Sequence, residues 1–257
     1  MSVDGPVVLL GSDGPATRMI YHALAAAFPH VEVVIERRLS KPYIFWRRLR
    51  SLGPIRAISQ VPFRLFVIPW LVRRGQSRIA AIKHAYHLNN GPIPRVAARV
   101  SSVNTPEARD ALRALKPAVV AVSGTRIIGR ETLECVAAPF INMHGGITPL
   151  YRGVHGGYWA LVDGRPDLVG STVHRVDTGI DTGAVVSQVT FDVTPDDSFA
   201  TYPYLHTAVG LPPFIEAIRQ ALDGSLGPGR SIQLPSRLRT HPTIFEYLRL
   251  RFVKGVR

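Results

Sequence analysis

The feature that most limits what this chain can fold into is the run Ala118-Val119-Val120-Ala121-Val122, five apolar residues with no polar break. A strand with one wet face alternates apolar and polar residues. An unbroken run needs cover on both faces, which places it in the middle of a parallel sheet. A helical pattern over about 106–115 stops at Lys116-Pro117, immediately before it. The N-terminal region has the same build: Val7-Val8-Leu9-Leu10 ends at Gly11-Ser12-Asp13-Gly14-Pro15, then Met19, Ile20, Leu24 and Phe28 recur at helical spacing, and Val31–Ile35 is again β-rich. Strand, helix, strand in that order predicts a β-α-β unit.

A short helix near Glu131 leads into residues 139–144, a strand with polar residues at its end. After the loop 145–157 and a helix from about Tyr158, strands over 170–176 and 184–191 flank Asp177-Thr178-Gly179-Ile180-Asp181-Thr182-Gly183. That pattern reads as a hairpin with an unusually polar connection. A helix over about 198–222 closes the body, and residues 224–229 read as a linker. In open α/β sheets ligands bind beyond the carboxyl ends of the strands, so Gly11-Ser12, Ser123-Gly124-Thr125-Arg126 and Asn142-Met143-His144 are expected to converge on one crevice.

The net charge of +13 is very unevenly placed. Residues 37–106 hold 14 Lys or Arg and no Asp or Glu, and residues 230–257 hold seven against Glu246 alone, which leaves the rest net acidic. The positive charge therefore belongs to attached elements, which speaks of partners and not of fold. The one cysteine, Cys135, has no partner for a disulfide or a Cys-based metal site and fits a reducing compartment. Met1–Gly11 lacks a basic start followed by a long apolar region, so no leader is expected. Residues 61–72 contain Arg64 and two prolines and fall short of the ~20 residues of a membrane span. The expected location is cytoplasmic, with peripheral contact to the inner membrane face.

The run Asn142-Met143-His144-Gly145-Gly146-Ile147-Thr148-Pro149-Leu150-Tyr151-Arg152-Gly153, then His155 and Gly179-Ile180-Asp181-Thr182-Gly183, resembles the formyltransferases that act on glycinamide ribonucleotide, methionyl-tRNA and amino sugars. The likeness is close over about 119–191 and diffuse over 7–35. It implies an α/β, Rossmann-like, mostly parallel sheet with helices on both faces. On it sit a basic helical insertion over about 40–83 and a basic C-terminal helix. The expected division is a catalytic domain over 1–228 and an extension over 229–257.

The resemblance makes Asn142, His144 and Asp181 the expected catalytic residues, and the chemistry accounts for their types. An amine attacking a formyl amide creates a negative oxygen that needs donors, and a nitrogen that must lose a proton. Asn142 supplies amide hydrogens to the oxygen. His144, titrating near neutrality, stabilises the oxyanion when protonated and passes protons. Asp181 holds His144 charged and oriented, or accepts the amine proton through a water. Taken singly, an Asn-x-His could cap a turn and Asp181 could be an ordinary turn residue. Together and in order they point to catalysis.

By the same resemblance Arg126, Ile127 and Ile128 form one wall of the folate pocket, and Val176, Asp177 and Ile180 the other. The expected co-substrate is 10-formyltetrahydrofolate, with no metal. Gly11 and Ser12, between a strand and a helix, are candidates for a phosphate of the acceptor, or are simply a turn. Tyr151 and His155 are further candidates for acceptor binding, with a solvated loop histidine as the alternative for His155. His174, alternating with Thr172 and Val176, reads as structural.

Phe63, Phe66, Val67, Trp70 and Leu71 recur at helical spacing among arginines, with Pro69 expected to bend or break the helix. Ile244, Phe245, Leu248 and Phe252 repeat the pattern. Such stripes either pack on the protein's own core or meet an anionic membrane or substrate. The expected reaction is formyl transfer to a primary amine on a nucleotide- or lipid-linked amino sugar. The expected partners are a small-molecule or sugar-linked amine and an anionic membrane surface, with nucleic acid not expected. The alternatives are a formyltetrahydrofolate hydrolase, a glycinamide ribonucleotide or methionyl-tRNA formyltransferase, and a non-catalytic basic membrane- or RNA-binding relative.

Overall fold

The structure, a computed structural model, describes residues 5–257. Residues 1–4, the start of the segment in which no leader is expected, lie outside the described residues. β1 (Val7–Ser12), α1 (Pro15–Ala27) and β2 (Val31–Glu36) form the opening unit. Four helical pieces follow: α2 (Lys41–Leu52), α3 (Pro54–Pro62), α4 (Ile68–Arg74) and α5 (Gln76–Ala85), with a π-helical turn at Phe63–Val67 joining α3 to α4. The chain continues through β3 (Ala98–Val100), α6 (Pro106–Leu115), β4 (Val119–Ser123), α7 (Arg130–Leu133) and β5 (Phe140–His144). It ends with β6 (Arg152–Gly153), α8 (Gly156–Val162), β7 (Gly170–Arg175), β8 (Val185–Thr190), α9 (Tyr202–Asp223), β9 (Leu238–Arg239) and α10 (Ile244–Lys254).

Seven strands form one sheet in the order β3-β2-β1-β4-β5-β7-β8. The five from β3 to β5 are mutually parallel, and β7 and β8 add an antiparallel edge. The unbroken run in β4 is covered on both sides. Val119 and Ala121 join Leu9, Ile141, Leu24, Phe214 and Ile218 in one cluster, while Val120 and Val122 join Val8, Leu10, Val34, Ala108 and Leu112 in another. At about 1.5–3 kcal/mol for each fully buried large aliphatic or aromatic side chain, these two layers fix the sheet. Strand ends at Ser12, Ser123 and His144 consequently meet along one edge, at the crevice expected of this topology.

A third cluster joins the basic elements to the body. Phe63, Leu71 and Tyr247 pack with Tyr158, Trp159, Phe199 and Tyr202. Arg78 clamps Asp197 with two hydrogen bonds of 2.9 and 3.1 Å, and Gln60 donates to the carbonyl of His241 at 2.6 Å. The aromatic stripe thus divides: Phe63 and Leu71 turn inward, Phe66 and Trp70 outward.

Pro69 does not break the helix. The π turn sets Ile68 N–H on the carbonyl of Phe63, five residues back, and Pro69 falls in the first turn of the following α-helical piece, where a missing N–H costs least. The result is a continuous helix over Pro54–Arg74, 21 residues, instead of the short segment expected. By length and composition alone it could cross a membrane. Its inner face, however, is committed to the body through Ala57, Gln60, Phe63 and Leu71.

Candidate active site

β5 delivers Asn142 and His144 on the same face of the strand, two residues apart, while Met143 turns toward α9, where Gly210 leaves room for it. Across the antiparallel edge Asn142 pairs with His174 and His144 with Thr172. The chain then makes a tight return. Gly146 and Gly156 pass so closely that a Cβ on either would collide with the other's backbone. Thr172 Oγ1 accepts from Thr148 N–H at 3.1 Å and donates to the Gly146 carbonyl at 2.8 Å. This return brings the Tyr151 carbonyl to 2.8 Å from His144 Nε2. A carbonyl only accepts, so Nε2 carries the hydrogen and Nδ1 faces the other way.

Nδ1 of His144 lies 3.4 Å from Asp181 Oδ2. Asp181 sits at φ +51, a left-handed conformation in which its carboxylate turns back toward the strands and accepts from Gly153 N–H at 2.9 Å. Arg152 donates to the Ile180 carbonyl at 3.0 Å and pins the same loop. Burial lowers the pKa of His144, against the opposing pull of Asp181 and the Tyr151 carbonyl. For Asp181, burial alone would raise the pKa, but the adjoining His174 ring, His144 and the Gly153 N–H together bring it below the usual carboxylate range. At neutral pH the pair is a neutral imidazole with a bare Nδ1 beside a carboxylate. This differs from the expectation of a His144 held charged: 7% exposed, the ring loses more hydration than Asp181 returns.

His174, expected to be structural, belongs to this group. Its Nδ1 donates to the Arg175 carbonyl at 2.8 Å, which leaves Nε2 to accept from Asn142 Nδ2 at 3.1 Å. Asp181 Oδ1 is 3.7 Å from the same nitrogen. The ring therefore orients the Asn142 amide so that one hydrogen is held and the other remains for a ligand.

Two cavities meet at His144. The larger, about 780 Å³, is lined by Asn142, His144 and Asp181, by Arg126, Ile127 and Ile128, and by Val176, Asp177 and Ile180. The guanidinium of Arg126 points away from it, donating to the carbonyls of Ser101 and Arg37 at 2.8 and 2.9 Å and pairing with Glu36 at 3.1 Å. Arg126 thus lines the cavity with its side chain tethered to the protein's own backbone. Asp177 similarly spends its carboxylate on Gly179 N–H and Thr182 Oγ1. Glu36, at the buried end of β2, also accepts the N–H of Val103 and of Arg126, each at 2.9 Å. Glu36→Ala, which strands these donors, is expected to cost roughly 3–5 kcal/mol of stability, read as a lowered Tm. It should also raise KM for any ligand of this wall.

The smaller cavity, about 380 Å³, is lined by Ser12, Arg38, His155, Tyr158, Tyr202 and His206 among others. Neither Gly11 nor Tyr151, both expected at the acceptor, lines either cavity. Gly11 is inside β1 with Thr17 and Ser123 against it, and the Tyr151 ring is buried in the aromatic cluster. His155 is part-buried: its ring packs at a tilt against Phe199, 4.1 Å between ring centroids, and bonds His241 at 2.9 Å. The C-terminal segment, which carried no signal for the site, pairs β9 with β6 and lines the larger cavity with residues 238–241. Among the described residues, no cluster of three or more His, Cys, Asp or Glu could hold a metal ion.

A sequence-family model described as formyl transferase matches residues 73–206, a span that contains Asn142, His144, His174 and Asp181. The chain belongs to the formyl transferase family. Among relatives of this family, the methionyl-tRNA formyltransferase of Anaeromyxobacter sp. (strain K) is 35% identical over 121 residues, which is 47% of this chain and 38% of that protein. The chain therefore aligns with less than half the length of this relative. Among solved structures of the fold, a sugar N-formyltransferase from a Shewanella species superposes with a TM-score of 0.57 at 15% identity, covering 91% of this chain and 76% of the other. An N-formyltransferase from Helicobacter canadensis, in complex with folinic acid and dTDP-3-aminofucose, gives 0.55 at 14% identity, covering 91% and 70%.

Proposed function

We propose that this chain transfers a formyl group from 10-formyltetrahydrofolate to a primary amine on an amino sugar. The observation that carries this reading is the His144–Asp181 contact beside Asn142 where the two cavities meet. The larger cavity has the size of a small-molecule site and apolar walls at Ile127, Ile128, Val176 and Ile180 suited to a flat pterin, with main-chain groups available to its edge. The folate would supply the activated formyl amide. As the amine nitrogen attacks the formyl carbon, the free Nδ2 hydrogen of Asn142 meets the oxygen on which negative charge collects. His144 Nδ1, unprotonated at rest, takes the proton the amine loses, and Asp181 balances the resulting imidazolium. The same proton passes to the departing folate nitrogen as its bond to carbon breaks.

The smaller cavity favours a sugar as acceptor. Tyr158, Phe199 and Tyr202 give it a largely apolar wall, and no carboxylate lines it. At its mouth Arg38 and Ser12 sit beside the start of α1, an arrangement suited to a phosphate. Asp13, which would repel one, is held by Arg18 at 2.9 Å. Arg38→Ala is expected to raise KM for a phosphorylated amino sugar by roughly tenfold, with KM for the folate unchanged. The deciding assay follows tetrahydrofolate release with a panel of amines. Release that depends on an amino sugar supports the proposal; release of equal rate without any amine makes the chain a hydrolase, and no release with any amine removes the reading.

A further inference from the structure

We propose that the outer face of the helix over 54–74, with the adjoining α10, is a docking surface for an anionic lipid bilayer. Ile55, Ile58, Leu65, Phe66 and Trp70 are exposed along the side away from Ala57, Gln60, Phe63 and Leu71. Ile55 is 84% and Phe66 70% exposed. On α10, Phe245, Leu248 and Phe252 form a second outward stripe, with Phe245 71% and Phe252 80% exposed. The two helices are joined by the aromatic cluster inside and by Arg56–Glu246 at 3.3 Å outside. Large apolar side chains left in water at this density mark a surface that is covered in use.

Charge decides what covers it. Arg64, Arg73 and Arg74 lie among the exposed apolar residues of the first helix, and Arg249 and Arg251 on the second, while Lys254 is turned onto the Val162 carbonyl at 2.7 Å. Residues 37–106 contain no carboxylate at all, and Glu246, the one acidic residue of the C-terminal segment, is already engaged by Arg56 and by its own helix cap. A second copy of the chain would set like charges against one another. RNA would neutralise the arginines, but it has no use for Ile55, Ile58, Leu65 or Val253. An anionic bilayer answers both features, with phosphates for the cations and acyl chains for the aliphatic and aromatic residues.

The helix lies on the bilayer and does not span it, because its inner face holds Gln60 on the His241 carbonyl and Phe63 in the aromatic cluster. Residues of the same insertion, Ile44, Leu52 and Gln60, line the larger cavity, so docking sets that cavity beside the lipid headgroups. The docking surface stands apart from the transfer chemistry. Its corollary alone, that the amino-sugar acceptor is attached to a lipid, rests on the function proposed above.

The test is co-sedimentation of the full chain with vesicles of phosphatidylcholine, with and without phosphatidylglycerol. Binding to the mixed vesicles alone is expected. Phe66→Ser with Trp70→Ser should weaken it by roughly tenfold or more, and Arg73→Gln with Arg74→Gln by about fivefold for each charge removed. Brominated lipid should quench tryptophan fluorescence more in the unaltered chain than in the double variant that lacks Trp70, which reads insertion at that residue. Equal binding to neutral vesicles, preference for transfer RNA over the mixed vesicles, or dimers abolished by the same substitutions would each overturn the proposal. Formyl transfer to a water-soluble amine is expected to survive in both double variants, whereas His144→Ala should lose transfer and keep vesicle binding, so the two proposals fail separately.

Discussion

His144→Ala is expected to lower kcat for the proposed formyl transfer by roughly a hundred- to ten-thousandfold, the range of a general base in acyl transfer, with KM for the proposed folate nearly unchanged. The ring lies at the junction of the cavities and not along the folate wall, which is why the loss falls on kcat. Because burial lowers the His144 pKa, its Nδ1 is a free base at neutral pH. Activity limited by this group therefore holds level through neutrality and falls only in acid, as pH drops through that depressed value. Combining Asn142→Ala with His144→Ala costs far less than the product of the two single losses, since both serve one tetrahedral centre. Steady-state kinetics over a pH series measures all of this. A His144→Ala variant within tenfold of the parent would remove the ring from the chemistry.

Stability falls steeply between pH 7 and pH 5. Burial pushes His206 and His241 down to about 3, whereas in the unfolded chain both titrate near 6.5. As pH falls, the unfolded state takes up protons that the folded state refuses, so stability rises with pH across about 3 to 6.5 and is complete above it. At pH 5 each histidine costs about 2 kcal/mol, and the pair removes a large share of the roughly 5–15 kcal/mol that holds a domain together. His155, lowered by burial and by its neighbour His241, acts in the same direction. Asp181 and Asp197, both held below the usual carboxylate range, lose their stabilising effect only at still lower pH, beneath the unfolded carboxylate value. Thermal unfolding at a series of pH values tests this, with His241→Phe expected to flatten the curve. A Tm that does not move between pH 7.5 and pH 5 would show that these rings are not held neutral.

The sheet was readable because its central strands are buried on both faces, and a strand of that kind leaves an unmistakable apolar run. Asn142, His144 and Asp181 were readable because their types, order and spacing belong together. His174 was misread for a physical reason: alternation along β7 tells which face a residue takes, but the identity of the residue across from it is a matter of register. That pairing with Asn142 joins positions 32 apart. The tether of Arg126 left no trace in the sequence, since its partner Glu36 lies 90 residues away. The helix through Pro62 and Pro69 departed from expectation because a π turn absorbs what propensity counts as a break. Residues 238–241 carry no motif at all and reach the site only through the short β6–β9 ladder.

That ladder ties Arg152 to Leu238 and Gly153 to Arg239, so the wall of the larger cavity closes only after residues some 86 positions apart have met. Contacts of such long range are entropically costly and form late in folding. A chain cut short before residue 238 would keep Asn142, His144 and Asp181 while lacking one wall of the larger cavity.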